Sequence, residues 1–436
     1  MKIILKIVFC LSAFLVLSSC VEELETTVLD QTSLPDILIV EATITNELKR
    51  HEVRLSVLDS LVDLETDTVF NPFIPPRNTE IDLVKHEEGA VIQIIASNGE
   101  VFDFNEPSSG LYRSNQEFAV LPDIEYQLTI SRQNGKRYLS DQMKIEGYAE
   151  IQNIYAERTV SSSGKIGVGI FVDTQGVSGD TDNLRFTYDE THKIIAPNWS
   201  PFQFQLTNYD PCALPEPTYD LEIVERTVQN RVCYSTEPSQ EIIQNQISFD
   251  SDQNLDGFMV RFLGQDNYKI ANRYSVEVQQ LVSSAQSFGF YERLNNFSRS
   301  DNVFSQVQPG LLAGNLSLSD GTQDGVIGFF DVVSVSKRRL FFNYDDFFEG
   351  EELPSYPTDC GLHSSPESHV SYCASGLNMN QCPQSIIERV DLGVISYVEV
   401  NGLEIGSCPG PYVYVATPCG DCTRLGSNIE PDFWVE

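Results

Sequence analysis

Short runs of alternating apolar and polar residues, closed by tight-turn dipeptides, dominate the first third of the chain and restrict it to antiparallel β structure. Tyr126, Leu128 and Ile130 alternate with Gln127 and Thr129, and Asn134-Gly135 leads into Lys136–Ser140. Upstream, Ala90–Ala96 runs into Asn98-Gly99 and returns through Val101–Phe104. A period of two places alternate side chains on one face of a strand, and Asn-Gly suits the positive-φ pair of a type I′ hairpin turn. Leu38, Val40, Ala42 and Ile44 share one face of another run, and Val53, Leu55 and Val57 alternate next. Two such hairpins at this spacing predict that residues 36–147 form an antiparallel β-sandwich of immunoglobulin-like or transthyretin-like type. Residues 63–80, with Asn71-Pro72 and Pro75-Pro76, read as a long loop off its edge.

The remainder, 148–436, reads as a larger β-rich domain with longer connections. Ile166–Val172, Leu184–Tyr188, Phe258–Leu263 and Tyr274–Leu281 are predicted strands, as are Gly325–Val335 and Arg339–Asn343. Between them the period changes. Ala285, Phe288, Tyr291 and Leu294 fall at helical spacing behind Ser283-Ser284, which predicts one helical insertion at 283–297 with a serine cap. The fold class is therefore mainly β, ending in a loop-rich, disulfide-rich C-terminal region at 350–436.

At the N-terminus, Lys2 and Lys6 precede an apolar run from Ile7 to Leu17, and Ser18, Ser19 and Cys20 follow. A basic tip, a short apolar segment and small residues describe a secretory signal peptide, and the segment is too short to anchor as a transmembrane helix. Leu17-Ser18-Ser19-Cys20 resembles the bacterial lipobox, which implies that residues 1–19 are removed, that Cys20 is acylated, and that 20–35 is a lipidated tether. Glu22, Glu23 and Glu25 resemble the acidic signal that sends lipoproteins of the Bacteroidota to the outward-facing leaflet. The expected location is the outer membrane, lipid-anchored and facing the cell exterior.

A formal charge of −35 repels phosphate backbones and argues against nucleic-acid binding. Five histidines leave little material for His-based catalysis. Beyond Cys10 and Cys20, the cysteines are Cys212, Cys233, Cys360, Cys373, Cys382, Cys408, Cys419 and Cys422, an even set that favours disulfides in an exported protein. Cys212 and Cys233 stand apart from the others and are expected to pair, whereas the other six allow every connectivity. Cys419-x-x-Cys422 keeps metal and redox readings open, with His363 and His369 near Cys360 and Cys373.

Asp250, Asp252, Asn254 and Asp256 ahead of Gly257 resemble the front half of a calcium loop, but Leu263 stands where a bidentate glutamate belongs. Calcium is the one cofactor considered, and an acidic solvated turn fits the same residues. Trp199, Phe202 and Phe204 are candidates for a glycan-binding platform, or else Phe202 and Phe204 are core residues of a strand. No Gly-x-Ser-x-Gly elbow, His-Glu-x-x-His or phosphate-cradling glycine loop occurs, so no catalytic residue is assigned.

An ordered set of landmarks remains: Gly110-Leu111-Tyr112, Tyr274 with Val276, Phe288 with Tyr291, Gly314-Asn315-Leu316, Gly328-Phe329-Phe330, Ser334 through Arg338, Cys419 through Arg424, and Pro431 through Trp434. This set resembles the Bacteroidota lipoprotein family described as the domain of unknown function DUF4249. The resemblance implies an exported lipoprotein, often encoded beside SusC-like TonB-dependent transporters, with no assigned catalytic residues. It carries the expectation of a non-enzymatic accessory or binding subunit docked on an outer-membrane β-barrel. A stand-alone glycan- or protein-binding surface module is the alternative, and a hydrolase with an unrecognised site the third.

Overall fold

The computed structural model describes residues 37–57, 85–179, 181–211, 213, 218–247, 254–298, 312, 314–320, 325–365, 386–401 and 410–436. Its first strands are β1 (Leu38–Thr45), β2 (Glu52–Val57), β3 (Lys85–His86), β4 (Val91–Ala96), β5 (Val101–Ser108), β6 (Leu111–Ser114), β7 (Tyr126–Ser131) and β8 (Arg137–Ser140). There follow β9 (Gly147–Val160), β10 (Ile166–Gly179), β11 (Asn183–Ile195), β12 (Phe202–Asp210), β13 (Thr218–Glu225), β14 (Val232–Pro238), β15 (Ile243–Gln246), β16 (Leu255–Gly264) and β17 (Tyr274–Ser283). Helix α1 (Ala285–Ser298) leads to β18 (Leu316–Leu318) and β19 (Val326–Phe342). The tail holds β20 (His363–Ser365), α2 (Ile387–Asp391), β21 (Ile395–Val400), β22 (Tyr412–Ala416) and α3 (Thr417–Gly420).

The protein is mainly β, as expected. Leu38, Val40, Ala42 and Ile44 of β1 and Val53 and Leu55 of β2 are buried on one face, and both Asn-Gly dipeptides join paired strands, β4 to β5 and β7 to β8. The sheet path runs β19-β1-β2-β6-β5-β4-β7-β8-β18 and wraps one core. Its two ends meet, because Asn315 just before β18 donates from Nδ2 to the Phe330 carbonyl (2.9 Å) and accepts from the Phe330 N–H (2.8 Å). Gly314 is required there: a Cβ would lie 1.6 Å from the Gly328 carbonyl oxygen. Gly328 itself has φ +139° and no room for a side chain beside Val40.

A boundary at 147/148 is crossed by this sheet. β1 pairs in parallel with the first half of β19, Leu38 opposite Val326 through Thr45 opposite Val333, and the second half of β19 pairs antiparallel with β17. Sequence reading expects two strands at 325–335 and 339–343; they are one. Ser334 and Ser336 look like a break but are spent on β9: Ser334 Oγ donates to the Gly147 carbonyl (2.7 Å), and Ser336 Oγ accepts from the Ile151 N–H (3.0 Å). Arg338 Nε adds a bond to the Ile151 carbonyl (3.2 Å). A second core lies between the layer of β11, β17 and β19 and the layer of β9, β10 and β16, filled by Ile170, Val172, Phe186, Val276 and Val278 among others.

Helix α1 forms where its period predicts, and the Ser284 hydroxyl accepts from the Ser287 N–H (3.1 Å) as its cap. The helix is pinned to the sheet by Asp331 of β19, which is fully buried. Ser287 Oγ donates to Asp331 Oδ2 at 2.7 Å, Arg185 Nη2 reaches it at 3.2 Å, and the guanidinium lies 4.2 Å from the Tyr291 ring centroid. Asp331→Ala strands the Arg185 charge in the core and is expected to lower stability by about 3–5 kcal/mol, whereas Arg185→Met combined with Asp331→Leu stays near the wild type. Urea unfolding of the three proteins checks this; an equal loss in the double variant would show that the ion pair is not what matters.

The tail is fastened to the body by one disulfide, Cys233–Cys422, and closed on itself by another, Cys360–Cys419. The expected Cys212–Cys233 pair is therefore replaced: β14 places Cys233 beside Cys422, where Cys422 N–H donates to Asn230 at 3.0 Å and Tyr234 N–H to Ser427 at 2.8 Å. Cys419 and Cys422 each bond to a distant partner, so the short spacing between them is neither a redox pair nor half a zinc site here. Cys212, Cys373, Cys382 and Cys408 lie outside the described residues. Closing loops this long stabilises by about 4–5 kcal/mol each in the chain-entropy account. Non-reducing peptide mapping is expected to recover 233 linked to 422 and 360 linked to 419; a peptide joining 212 to 233 would contradict the arrangement.

Candidate functional site

The aromatic candidates separate. Trp199 packs on the cluster of Ile194, Ala196, Cys233 and Cys422, and its Nε1–H donates to Asn230 Oδ1 at 2.8 Å. Phe204 on β12 turns its ring edgewise to Tyr397 (5.4 Å between centroids) and Tyr412 (5.7 Å) of the small C-terminal sheet β20-β22-β21. Phe202 is 44% exposed. Trp199 and Phe204 pack where the β12–β13 hairpin meets the tail, and of the three only Phe204 lines the cleft described next. Trp434 is likewise a plug, packed edgewise on Tyr234 and Phe341.

Where that hairpin meets the tail, a cleft of about 340 Å³ opens, lined by Gln203, Phe204, Arg226, Tyr397, Asp421 and Arg424 among others. Arg226 follows β13 directly and is nearly buried. Its Nε donates to the Ser200 carbonyl (3.0 Å), and its Nη1 to Gln203 Oε1 (3.3 Å) and Asp421 Oδ2 (3.5 Å). Burial pulls the Arg226 guanidinium below its usual range, and Asp421 opposes that pull. Asp421 also accepts from Asn230 Nδ2 and from the Thr423 N–H and hydroxyl (3.0 and 2.6 Å). Arg424 spends Nη2 on the Gly393 carbonyl at 3.3 Å. Sequence reasoning missed these residues because they come from four separate segments; Cys419-x-x-Cys422 was the one local sign that this turn is built.

A second polar cluster lies inside the β11 layer. Glu190 accepts from Arg261 (3.1 Å to each oxygen), Lys269 Nζ (2.6 Å) and Tyr274 OH (2.6 Å). Burial would raise its carboxyl, but the hydrogen bonds from Lys269 and Tyr274 and the nearby cations outweigh that and hold it low. A carboxylate so saturated is a structural tie, with no lone pair directed at a substrate. Two positions further along the same face, His192 is buried without a hydrogen bond at either ring nitrogen, its ring edgewise to Tyr268 at 5.3 Å.

Of the calcium candidates, Asn254 precedes β16 and Asp256 lies within it, and Gly257 N–H donates to Asp173 Oδ1 (2.8 Å); Asp250 and Asp252 lie outside the described residues, as does Cys20. Among the described residues no three His, Cys, Asp or Glu side chains gather as a metal site would require, and no helix is long and apolar enough to cross a membrane.

A two-core β protein with a disulfide-fastened tail is the class that these observations define. The chain belongs to the family described as Domain of unknown function (DUF4249), whose model matches residues 21–339. Among curated proteins none matches it. The match begins one residue after Cys20 and ends within β19, so the first core and most of the second fall inside it, while Phe342, Tyr344 and Phe348 of the second core and the cleft-bearing tail lie beyond it.

Burial first, and for both the charge of a nearby lysine, push His51 and His192 down to about 4. Both are neutral when folded and protonate near pH 6.5 when unfolded, so the stability they secure above that pH is lost as it falls toward 4. The slope is about 1.4 kcal/mol per pH unit for each histidine. Urea midpoints at pH 7.5 and 5 check it: His192→Phe is expected to flatten the decline, and an unchanged slope would remove His192 from the account.

Proposed function

We propose that this protein is an exported lipoprotein of the outer membrane, acylated at Cys20 and facing outward, that serves without catalysis as an accessory binding subunit of a TonB-dependent, SusC-like transporter or another outer-membrane β-barrel complex. The observation that carries the reading is Leu17-Ser18-Ser19-Cys20, placed directly ahead of the family region that starts at residue 21. A cysteine at that junction, once acylated with more than one chain, holds a body at a bilayer far more firmly than a single chain does. The two disulfides support export, because such bonds persist in oxidising compartments. The body suits a docking role: two rigid cores joined by one continuous strand present fixed surfaces.

Mass spectrometry of the N-terminal peptide is expected to find Cys20 bearing acyl chains, and Cys20→Ser to shift the chain from the membrane to the soluble fraction. Detergent pull-down on the native chain is expected to bring a β-barrel with it. An unmodified N-terminus, or a lone monomer in mild detergent, would defeat the proposal.

A further inference from the structure

We infer that the cleft between the β12–β13 hairpin and the Cys419–Arg424 turn binds a small ligand that carries a carboxylate on a hydroxyl-bearing ring, the class of the uronic acids. The lining holds two guanidiniums, Arg226 and Arg424, against one carboxylate, Asp421. Asp421 is already committed to Arg226, Asn230 and Thr423, so it neither neutralises Arg424 nor offers an acceptor to a ligand. The other polar side chains on the wall are Gln203, Ser396, Thr417 and Thr423; the three hydroxyls donate within the protein and keep lone pairs that accept from a ligand hydroxyl, and the Gln203 amide N–H groups remain as donors. Arg226 has spent Nε and Nη1, so the fork that matches a carboxylate in plane and spacing comes from the exposed Arg424, whose one bond among the described residues runs from Nη2 to the Gly393 carbonyl.

Charge decides between ligand classes. A chain of formal charge −35 repels anions at long range, so diffuse attraction cannot explain an anion here. A positive spot on such a surface acts only at contact, which favours a ligand that brings shape as well as charge. The rings of Phe204 and Tyr397 supply the shape, as an apolar wall beside the polar one. About 340 Å³ lies at the small end of ligand pockets and accommodates a sugar ring, not an oligomer buried along its length.

The walls are also held before any ligand arrives. Cys419 and Cys422 bracket Gly420 and Asp421 and are bonded to Cys360 and Cys233, while Arg226 is fixed by Ser200 and Gln203. Preorganisation of this kind lowers the ordering cost of binding. The site is independent of membrane docking, so it stands or falls with the purified chain alone.

Isothermal titration of the detergent-purified native chain with galacturonate, galactose and acetate tests it. Saturable binding of galacturonate is expected, at least about tenfold tighter than either galactose or acetate, since each lacks one half of the recognition. Arg424→Gln, at an exposed position, is expected to weaken galacturonate binding by at least about tenfold with unchanged thermal unfolding. No heat with galacturonate at millimolar concentration would overturn the site. So would equal affinity for acetate, or full affinity in Arg424→Gln.

Discussion

The parallel pairing of β1 with β19 is the contact on which the other structural relations depend. It joins residues near the start of the folded body to residues almost three hundred positions later, and it puts one strand in both cores. Val326, Phe329, Phe330 and Val332 fill the first core and Phe342 the second. The handover between partners is marked by the residues that follow β1: Asn46 Oδ1 accepts from the Val335 N–H at 2.8 Å, and Glu47 meets Lys337 at 2.8 Å. Loss of that pairing would open the first sheet and release the second layer together. Such non-local pairing delays folding until most of the chain is available.

Polar groups inside the body serve register. The Ser334, Ser336 and Arg338 side chains bond to the main chain of β9 at a spacing of two, and only one alignment of β19 against β9 satisfies all three. Asp331 does the same for helix α1, and Glu190 ties the turn carrying Lys269 to β11 and β16. A slip of one residue would turn each group to the opposite face and leave it buried without partners, a cost of several kcal/mol for a charge. Strands rich in valine and phenylalanine tolerate slippage in hydrophobic terms alone; the buried charges do not.

The period-two strands, both Asn-Gly hairpins and the serine-capped helix were legible because each depends on contacts within about ten residues. The landmarks Gly314-Asn315, Gly328 and Ser334–Arg338 were legible as an ordered set, while their reason was not: it is a close backbone crossing and a side-chain ladder between distant strands. The Cys212–Cys233 expectation failed because proximity in sequence weighs little once a sheet brings Cys422 beside Cys233. Strand β12 shows the same period of two, with Phe202, Phe204 and Leu206 on one face, but nothing in that pattern signals that, among the described residues, it pairs only with β13 and leaves Phe202 44% exposed. The cleft was illegible for the plainest reason, that its residues come from four segments.

The family match covers the first core and most of the second and stops at Arg339, before the β20–β22 sheet and the Cys419–Arg424 turn. The scaffold and the cleft are thus partly separable: Gln203, Phe204 and Arg226 project from the matched body, and Tyr397, Asp421 and Arg424 from the tail. The tail needs its own fastening because the little sheet has three short strands and, among the described residues, shares no ladder with the large one. Cys233–Cys422 supplies this across the seam and Cys360–Cys419 closes the tail on itself, and both leave the intervening chain free to vary, since loop length costs stability only logarithmically. On the inference drawn for the cleft, recognition then lies at the seam between a shared body and an added, sulfur-fastened cap, where changes in the cap alter what is bound without disturbing the β1–β19 spine.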